Sequence, residues 1–165
     1  MSQYRSTLRK LDLRLPLDLD NEHLSARNIR GLVSLRLQSC CLVTGEGLKT
    51  LNSTVNAELE ELALINYDVI KREPGLLTTL GQSLRELRKL DLSYNEMLRD
   101  KELVSMLVSC KNLVDLNLRG CRRLMGATLL SMFKSCKLLE TIDIKQCCRI
   151  EADNVEFFLL NSSRL

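Results

Sequence analysis

Seven cysteines and a single histidine are the residues of this 165-residue chain whose types most readily suggest chemistry. The cysteines include the adjacent pairs Cys40–Cys41 and Cys147–Cys148 but no Cys-x-x-Cys pair, and adjacent residues rarely point at one metal ion. His23 is the only histidine, so no Ser-His or Cys-His catalytic pair can be built without it. We therefore predict no metal site and no cofactor.

The elements that position these residues are set by a repeat. Segments of the form Leu-x-x-Leu-x-Leu return every 24 to 28 residues, beginning at Leu8, Leu32, Leu59, Leu87, Leu113 and Leu139. Self-similarity at such a period is typical of a solenoid, in which each unit buries its apolar face against its neighbours. We predict one repeat domain, 1–165, with about six repeats and an incomplete one that starts at Leu165.

One repeat, from Leu113, predicts the fold of all of them. Leu116 and Leu118 alternate with polar residues, which is the period of a strand with one buried face. Apolar residues between Leu124 and Phe133 then follow a helical period. Strands joined through helices run parallel. The predicted fold class is therefore α/β, a right-handed strand-turn-helix solenoid with a parallel concave sheet and helices on the convex side.

The cysteines and prolines sharpen this prediction. Five cysteines occupy repeat positions, where small thiols that bond weakly suit buried turns: Cys40, Cys110, Cys121, Cys136 and Cys147. The chain carries no visible export signal, so we expect free thiols. Pro16 stands at the turn of the first unit, and Pro74-Gly75 interrupts the start of the helix in the third. The helices of these units are expected to be short or irregular.

The repeat resembles the cysteine-containing, ribonuclease-inhibitor-like leucine-rich repeats. Their pattern is matched by Leu113-Leu116-Leu118-Cys121, by Leu139-Ile142-Ile144-Cys147, and by Leu87-Leu90-Leu92-Asn95 with Asp100 in the family's Asp position. The resemblance covers nearly the whole chain. It implies the substrate-binding repeats of F-box/LRR or BTB/LRR ubiquitin-ligase adaptors, of a kind common in plants, and so the binding of a protein that is to be ubiquitylated.

The chain departs from that family ahead of the repeats. An F-box precedes the repeats as a helical segment, the repeats here begin at Leu8, and no BTB domain accompanies them. We expect a repeat fragment or a truncated form, in which cullin docking needs the missing segment of a longer form. The alternative is a leucine-rich-repeat scaffold or regulator outside ubiquitylation that binds a signalling protein. A small-ligand site would need long loops, and the loops here are short.

The residues between the leucines of each strand are expected to face the concave surface, in columns whose members are ~4.8 Å apart. The predicted partner-binding residues on this face are Asp12, Arg14, Arg36, Lys89, Asp91, Asp115, Asn117, Arg119, Asp143 and Lys145. An acidic column beside a basic one would orient a bipolar peptide through charge complementarity. The alternative is a face whose alternating charges only keep the sheet soluble.

Two other features of this face suggest different roles. Ala63 and Ile65 would form an apolar spot that could seat an anchor side chain of a partner. Asp91 and Asp143 would be roughly 10 Å apart, too far for a dyad that shares a proton. A hydrolase using these aspartates is an alternative, but an open solenoid face offers no pocket around them. We therefore predict a module that is not an enzyme.

Composition narrows the classes of partner. No apolar run approaches the ~20 residues of a transmembrane helix. The net charge is +3, and the basic residues are scattered, without interleaved aromatics. This argues against nucleic acid. We predict a protein partner, neither nucleic acid nor membrane, and a cytoplasmic or nuclear location.

Overall fold

The computed structural model describes residues 8–25, 31–49, 58–67 and 69–161, so Leu165, the predicted start of a further repeat, lies outside the described residues. Six strands in these ranges form one parallel sheet in chain order. They are β1 Lys10–Arg14, β2 Ser34–Gln38, β3 Glu61–Ile65, β4 Lys89–Asp91, β5 Asp115–Asn117 and β6 Thr141–Asp143.

Helices return the chain from each strand to the next. They are α1 Asn21–Ser25, α2 at 45–49, α3 Val69–Arg72, α4 Leu76–Ser83, α5 Asp100–Leu107, α6 Gly126–Ser135 and α7 Ala152–Asn161. The expected irregularity is present in the third unit, because Pro74-Gly75 separates α3 from α4. In the first unit, the residues after α1 lie outside the described ranges. The units from β4 onward contain one uninterrupted helix each.

The register of the sheet aligns equivalent repeat positions. The first inward residue of each strand pairs with its counterpart in the next, in the order Leu11, Leu35, Leu62, Leu90, Leu116 and Ile142. From β2 to β5 these leucines are at most 3% exposed. Burial of a leucine side chain contributes roughly 1.5–3 kcal/mol. This row therefore fixes which side chains of each strand are left on the opposite face, away from the core.

A residue in the left-handed region ends each strand segment. It is the seventh after the leading leucine, with φ between 48 and 74°, at Leu15, Ser39, Asn66, Tyr94, Gly120 and Gln146. In the first five repeats its N–H donates to a carbonyl of the following repeat, as from Tyr94 to Arg119 at 2.7 Å. A left-handed conformation costs a non-glycine residue roughly 1–2 kcal/mol. The ladder of hydrogen bonds between repeats offsets that cost.

From the second repeat onward, the next residue donates a hydrogen bond to a backbone carbonyl. The Cys121 thiol donates to the Leu92 carbonyl and the Cys147 thiol to the Leu118 carbonyl, both at 3.1 Å. A buried carbonyl without a hydrogen-bond donor would destabilise the fold by roughly 1–3 kcal/mol. The thiols at these positions are thus part of the packing between repeats.

The five cysteines at repeat positions are buried and free, as predicted, while Cys41 and Cys148 are exposed. Burial raises the pKa of Cys110 and Cys121 to about 12 and that of Cys136 to about 11. A thiol with a raised pKa holds its proton at neutral pH and is a poor nucleophile. These cysteines therefore serve packing.

Candidate functional site: the concave face

The polar side chains of the sheet lie in three columns on the face away from the core, which we call the concave face. The first column is Lys10, Ser34, Glu61, Lys89, Asp115 and Thr141. The middle column is Asp12, Arg36, Ala63, Asp91, Asn117 and Asp143. The outer column is Arg14, Gln38, Ile65, Ser93, Arg119 and Lys145. All ten predicted site residues lie in these columns, and their role in binding stays a prediction.

Arg36 links two aspartates of the middle column. Its Nε lies 3.9 Å from Asp12 Oδ1, and its Nη1 lies 3.6 Å from Asp91 Oδ2. Ala63 stands between Arg36 and Asp91 in the register, and its short side chain lets the guanidinium reach across β3. Arg14 donates two hydrogen bonds to Asp12, at 3.1 and 2.9 Å. These bonds, together with the charges of both arginines, hold the pKa of Asp12 below its usual value.

A second pair flanks this chain of charges. Lys89 Nζ lies 3.0 Å from Glu61 Oε1, and its hydrogen bond lowers the pKa of Glu61. Together with Arg36 and Asp91, this pair borders an open groove of about 370 Å³ above Ala63. Ion pairs between side chains this exposed contribute at most about 1 kcal/mol each. Charges of a partner can therefore replace them at little cost.

The middle column also shapes the turns that follow the strands. Oδ1 of Asp91, Asn117 and Asp143 accepts a hydrogen bond from the backbone N–H two residues later, at 2.9, 3.0 and 2.8 Å. Such Asx turns position the chain for the left-handed residue that comes next. Sequence reasoning missed this role. The signal was present, because an aspartate or asparagine recurs at this offset in three consecutive repeats.

Of the apolar spot expected on β3, Ala63 lines the groove and Ile65 does not. Ala63 is 7% exposed and Ile65 is 3% exposed, so the expectation that Ile65 would seat an anchor side chain is wrong. Ile65 pairs with Gln38 of β2, while the pairing of β3 with β4 ends at Ala63. The groove thus has polar walls and a narrow apolar floor.

The other candidates for chemistry lie away from the groove. His23 is exposed on α1, and its Nδ1 lies 2.6 Å from Asp20 Oδ1. Among the described residues, no group of three or more His, Cys, Asp or Glu side chains could hold a metal ion. No helix in the described part of the chain has the length and apolar character to span a membrane.

Comparison with known proteins bears on the fold. Neither a protein-family model nor a curated protein matches the chain. Among solved structures, it is similar to the tropomodulin C-terminal domain of Caenorhabditis elegans, with 14% sequence identity and a TM-score of 0.56. The likeness covers 96% of this chain and 84% of that one. At this identity it concerns the fold alone, and it confirms the predicted fold class: the chain is an α/β solenoid of the leucine-rich-repeat kind.

Proposed function

We propose that this chain is a protein-interaction module that binds a partner through its concave face and catalyses no reaction itself. The observation that carries the proposal is the chain of exchangeable ion pairs, Arg14–Asp12–Arg36–Asp91, beside the groove above Ala63. Solenoids use extended concave surfaces of this type for binding. Complementary charges on a partner would select the register in which it docks.

The engagement of the aspartates supports binding over catalysis. Asp91 accepts a backbone hydrogen bond and pairs with Arg36, and Asp143 accepts the backbone N–H of Lys145. A general acid or base needs a proton-transfer partner within hydrogen-bond reach. These carboxylates instead have structural partners within reach.

We propose further, from the resemblance of its repeats, that the bound protein is a ubiquitylation substrate. In that case the chain acts with an F-box or BTB segment of a longer form, which docks on a cullin. The second candidate is a scaffold or regulator outside ubiquitylation. It needs only the concave face and its chain of ion pairs, without a further cullin-docking segment.

The concave face is tested by removing charge without removing the turn hydrogen bonds. The variant D91N/D115N/D143N takes its precedent from Asn117, whose amide makes the same turn bond. The matched control, E151Q/D153N/E156Q, removes three acidic charges before and on α7. We expect the parent chain and the control to capture the same protein from cell extract, identified by crosslinking and mass spectrometry. The concave variant should capture it at least about tenfold less.

Undiminished capture by the concave variant would place binding away from these three aspartates. The two finer functions are separated by fusing the chain to an F-box or BTB segment in cells. If the captured protein becomes more abundant when the proteasome is inhibited, and only with the parent concave face, the ligase function is supported. If it binds equally well and its abundance does not change, the scaffold function is supported.

A further inference from the structure

Basic side chains collect where β5 and β6 end. Arg119 and Lys145 occupy the outer column in adjacent strands, and the backbone N–H of Gly120 donates to the Lys145 carbonyl at 2.9 Å. Equivalent residues of neighbouring strands are ~4.8 Å apart. Three further basic residues follow in the next turns. We call this set the basic rim: Arg119, Arg122, Arg123, Lys145 and Arg149.

The basic rim lacks the counter-charges found elsewhere on the same face. Within the described residues, its one ion pair joins Arg122 to Glu96, at 3.6 Å. From β1 to β4, by contrast, Arg14, Arg36 and Lys89 all lie against carboxylates. One end of the face is thus neutralised by ion pairs, while four of the five basic-rim side chains form no ion pair with a described residue. A segment of opposite charge is the complement of such a surface.

Arg119 supplies an independent sign of a missing anion. Its Nε, like that of Arg36, is withdrawn from solvent and has no hydrogen-bond acceptor among the described residues. A buried donor that lacks an acceptor is rare, because it has lost its hydrogen bonds to water and gained none in return. The planar guanidinium binds carboxylates and phosphates through paired hydrogen bonds. An acidic group of a ligand would satisfy Arg119 in this way.

Tyr94 provides an exposed apolar contact surface beside the basic rim. Its ring lies over Gly120, where an added Cβ would come within 2.8 Å of Tyr94 Cδ1. The ring is 43% exposed, although most apolar residues of this region are buried. The ring also borders a pocket of about 160 Å³ with a mainly polar lining, which includes Asn66, Lys71 and Glu96. The exposed ring itself is therefore the surface on which an apolar side chain of a ligand would pack.

We propose that the basic rim binds an acidic segment of the partner protein, with one apolar side chain of that segment seated beside Tyr94. The inference rests on the proposed function, because it names the chemistry of the partner for part of the same face. A nucleic acid would need several exposed aromatic side chains for base stacking. Among the described residues, Tyr94 is the one exposed aromatic residue beside the basic rim. An acidic peptide fits this arrangement better.

The probe is a short fluorescein-labelled peptide of glutamates with one central leucine, followed by fluorescence anisotropy. We expect it to bind the parent chain and to weaken as salt is raised. R119E/K145E should lower the affinity about tenfold or more, and the milder R119Q/K145Q should lower it less. The control K101E/K134E, on the exposed faces of α5 and α6, changes net charge equally and should stay within about twofold. Y94N, which keeps a residue type tolerant of the left-handed region, should weaken binding a few-fold.

Three results would overturn this inference. In the first, a peptide with glutamine in place of glutamate binds as tightly as the acidic one. In the second, R119E/K145E and K101E/K134E lose the same affinity; in the third, a labelled oligouridylate binds the basic rim more tightly than the peptide does. If the peptide fails to bind while D91N/D115N/D143N still abolishes partner capture, the acidic-segment inference falls and the proposed function stands. If the peptide binds the basic rim while that triple variant captures the partner normally, the proposal that the partner binds in the groove is contradicted. The inference about the basic rim then still stands.

Discussion

At the scale of single residues, Asn95 takes the place of a cysteine in the turn ladder. Its Nδ2 donates to the Leu64 and Leu92 carbonyls at 2.7 and 2.8 Å, and its Oδ1 accepts the Tyr67 N–H at 2.8 Å. Cys121 reaches only one carbonyl from the equivalent position, that of Leu92. The amide therefore ties the third and fourth repeats together more completely than a thiol could.

Replacement of Asn95 by alanine is expected to destabilise the fold by about 3 kcal/mol. The Leu64 carbonyl and the Tyr67 N–H would lose their partner while still buried. Asn95→Cys should lie between the parent and Asn95→Ala, because a thiol restores one donor. The measurement is urea unfolding followed by circular dichroism. Asn112→Ala, which removes an exposed hydrogen bond of 3.2 Å to Arg85, is the control and should change stability by less than about 1 kcal/mol. Equal losses in Asn95→Ala and Asn112→Ala would contradict the ladder.

At the scale of elements, helix starts are capped from a neighbouring repeat. Asp100 Oδ1 accepts the N–H of Met125 at 2.9 Å and the hydroxyl of Thr128, so a residue of the fourth repeat caps α6 in the fifth. Asn21 similarly accepts the N–H of Thr44 at 2.9 Å, just before α2. α6 and α2 thus depend on a neighbouring repeat for an acceptor at their N-termini.

Asp100→Ala is expected to destabilise the protein by about 1–2 kcal/mol, because it removes both hydrogen bonds and a negative charge at the positive end of α6. Asp100→Asn keeps an acceptor and should cost less. Native-state hydrogen exchange checks the location, since the Met125 amide should lose protection first. Asp153→Ala, at an exposed position in the first turn of α7, serves as the control. Faster exchange throughout the molecule, with no excess at Met125, would argue against a local cap.

At the scale of the whole molecule, the sequence predicts the features that recur in every repeat. It does not predict contacts that depend on different residue types in neighbouring repeats. The rows of leucines, the parallel register and the buried thiols follow from one short pattern, because each unit packs on a copy of itself. The bridge from Arg36 to Asp91 depends on a short residue, Ala63, in the strand between them. The burial of Ile65 likewise depends on its neighbours. Both need coordinates, since no period in the chain encodes them.

The buried thiols of several repeats act together on the pH dependence of stability. Burial raises the pKa of Cys110 and Cys121 to about 12 and that of Cys136 to about 11, from 9.0. The unfolded chain therefore releases these protons at lower pH than the folded protein does. Stability from this source is complete below pH 9.0 and is lost as pH rises toward the folded pKa values. Each thiol contributes a slope of roughly 1.4 kcal/mol per pH unit in that window.

We therefore expect stability under reducing conditions to be nearly level around pH 8 and to fall steeply between about pH 9 and about pH 11, as measured by urea unfolding. The slope of the free energy of unfolding against pH distinguishes thiol ionisation from lost packing, because lost packing shifts stability equally at every pH. Cys110→Ala/Cys136→Ala should lower stability at neutral pH through lost packing, yet reduce the alkaline slope. Cys41→Ala/Cys148→Ala removes two exposed thiols and should leave the slope unchanged. An alkaline slope that is identical in both variants would mean that groups other than the buried thiols set it.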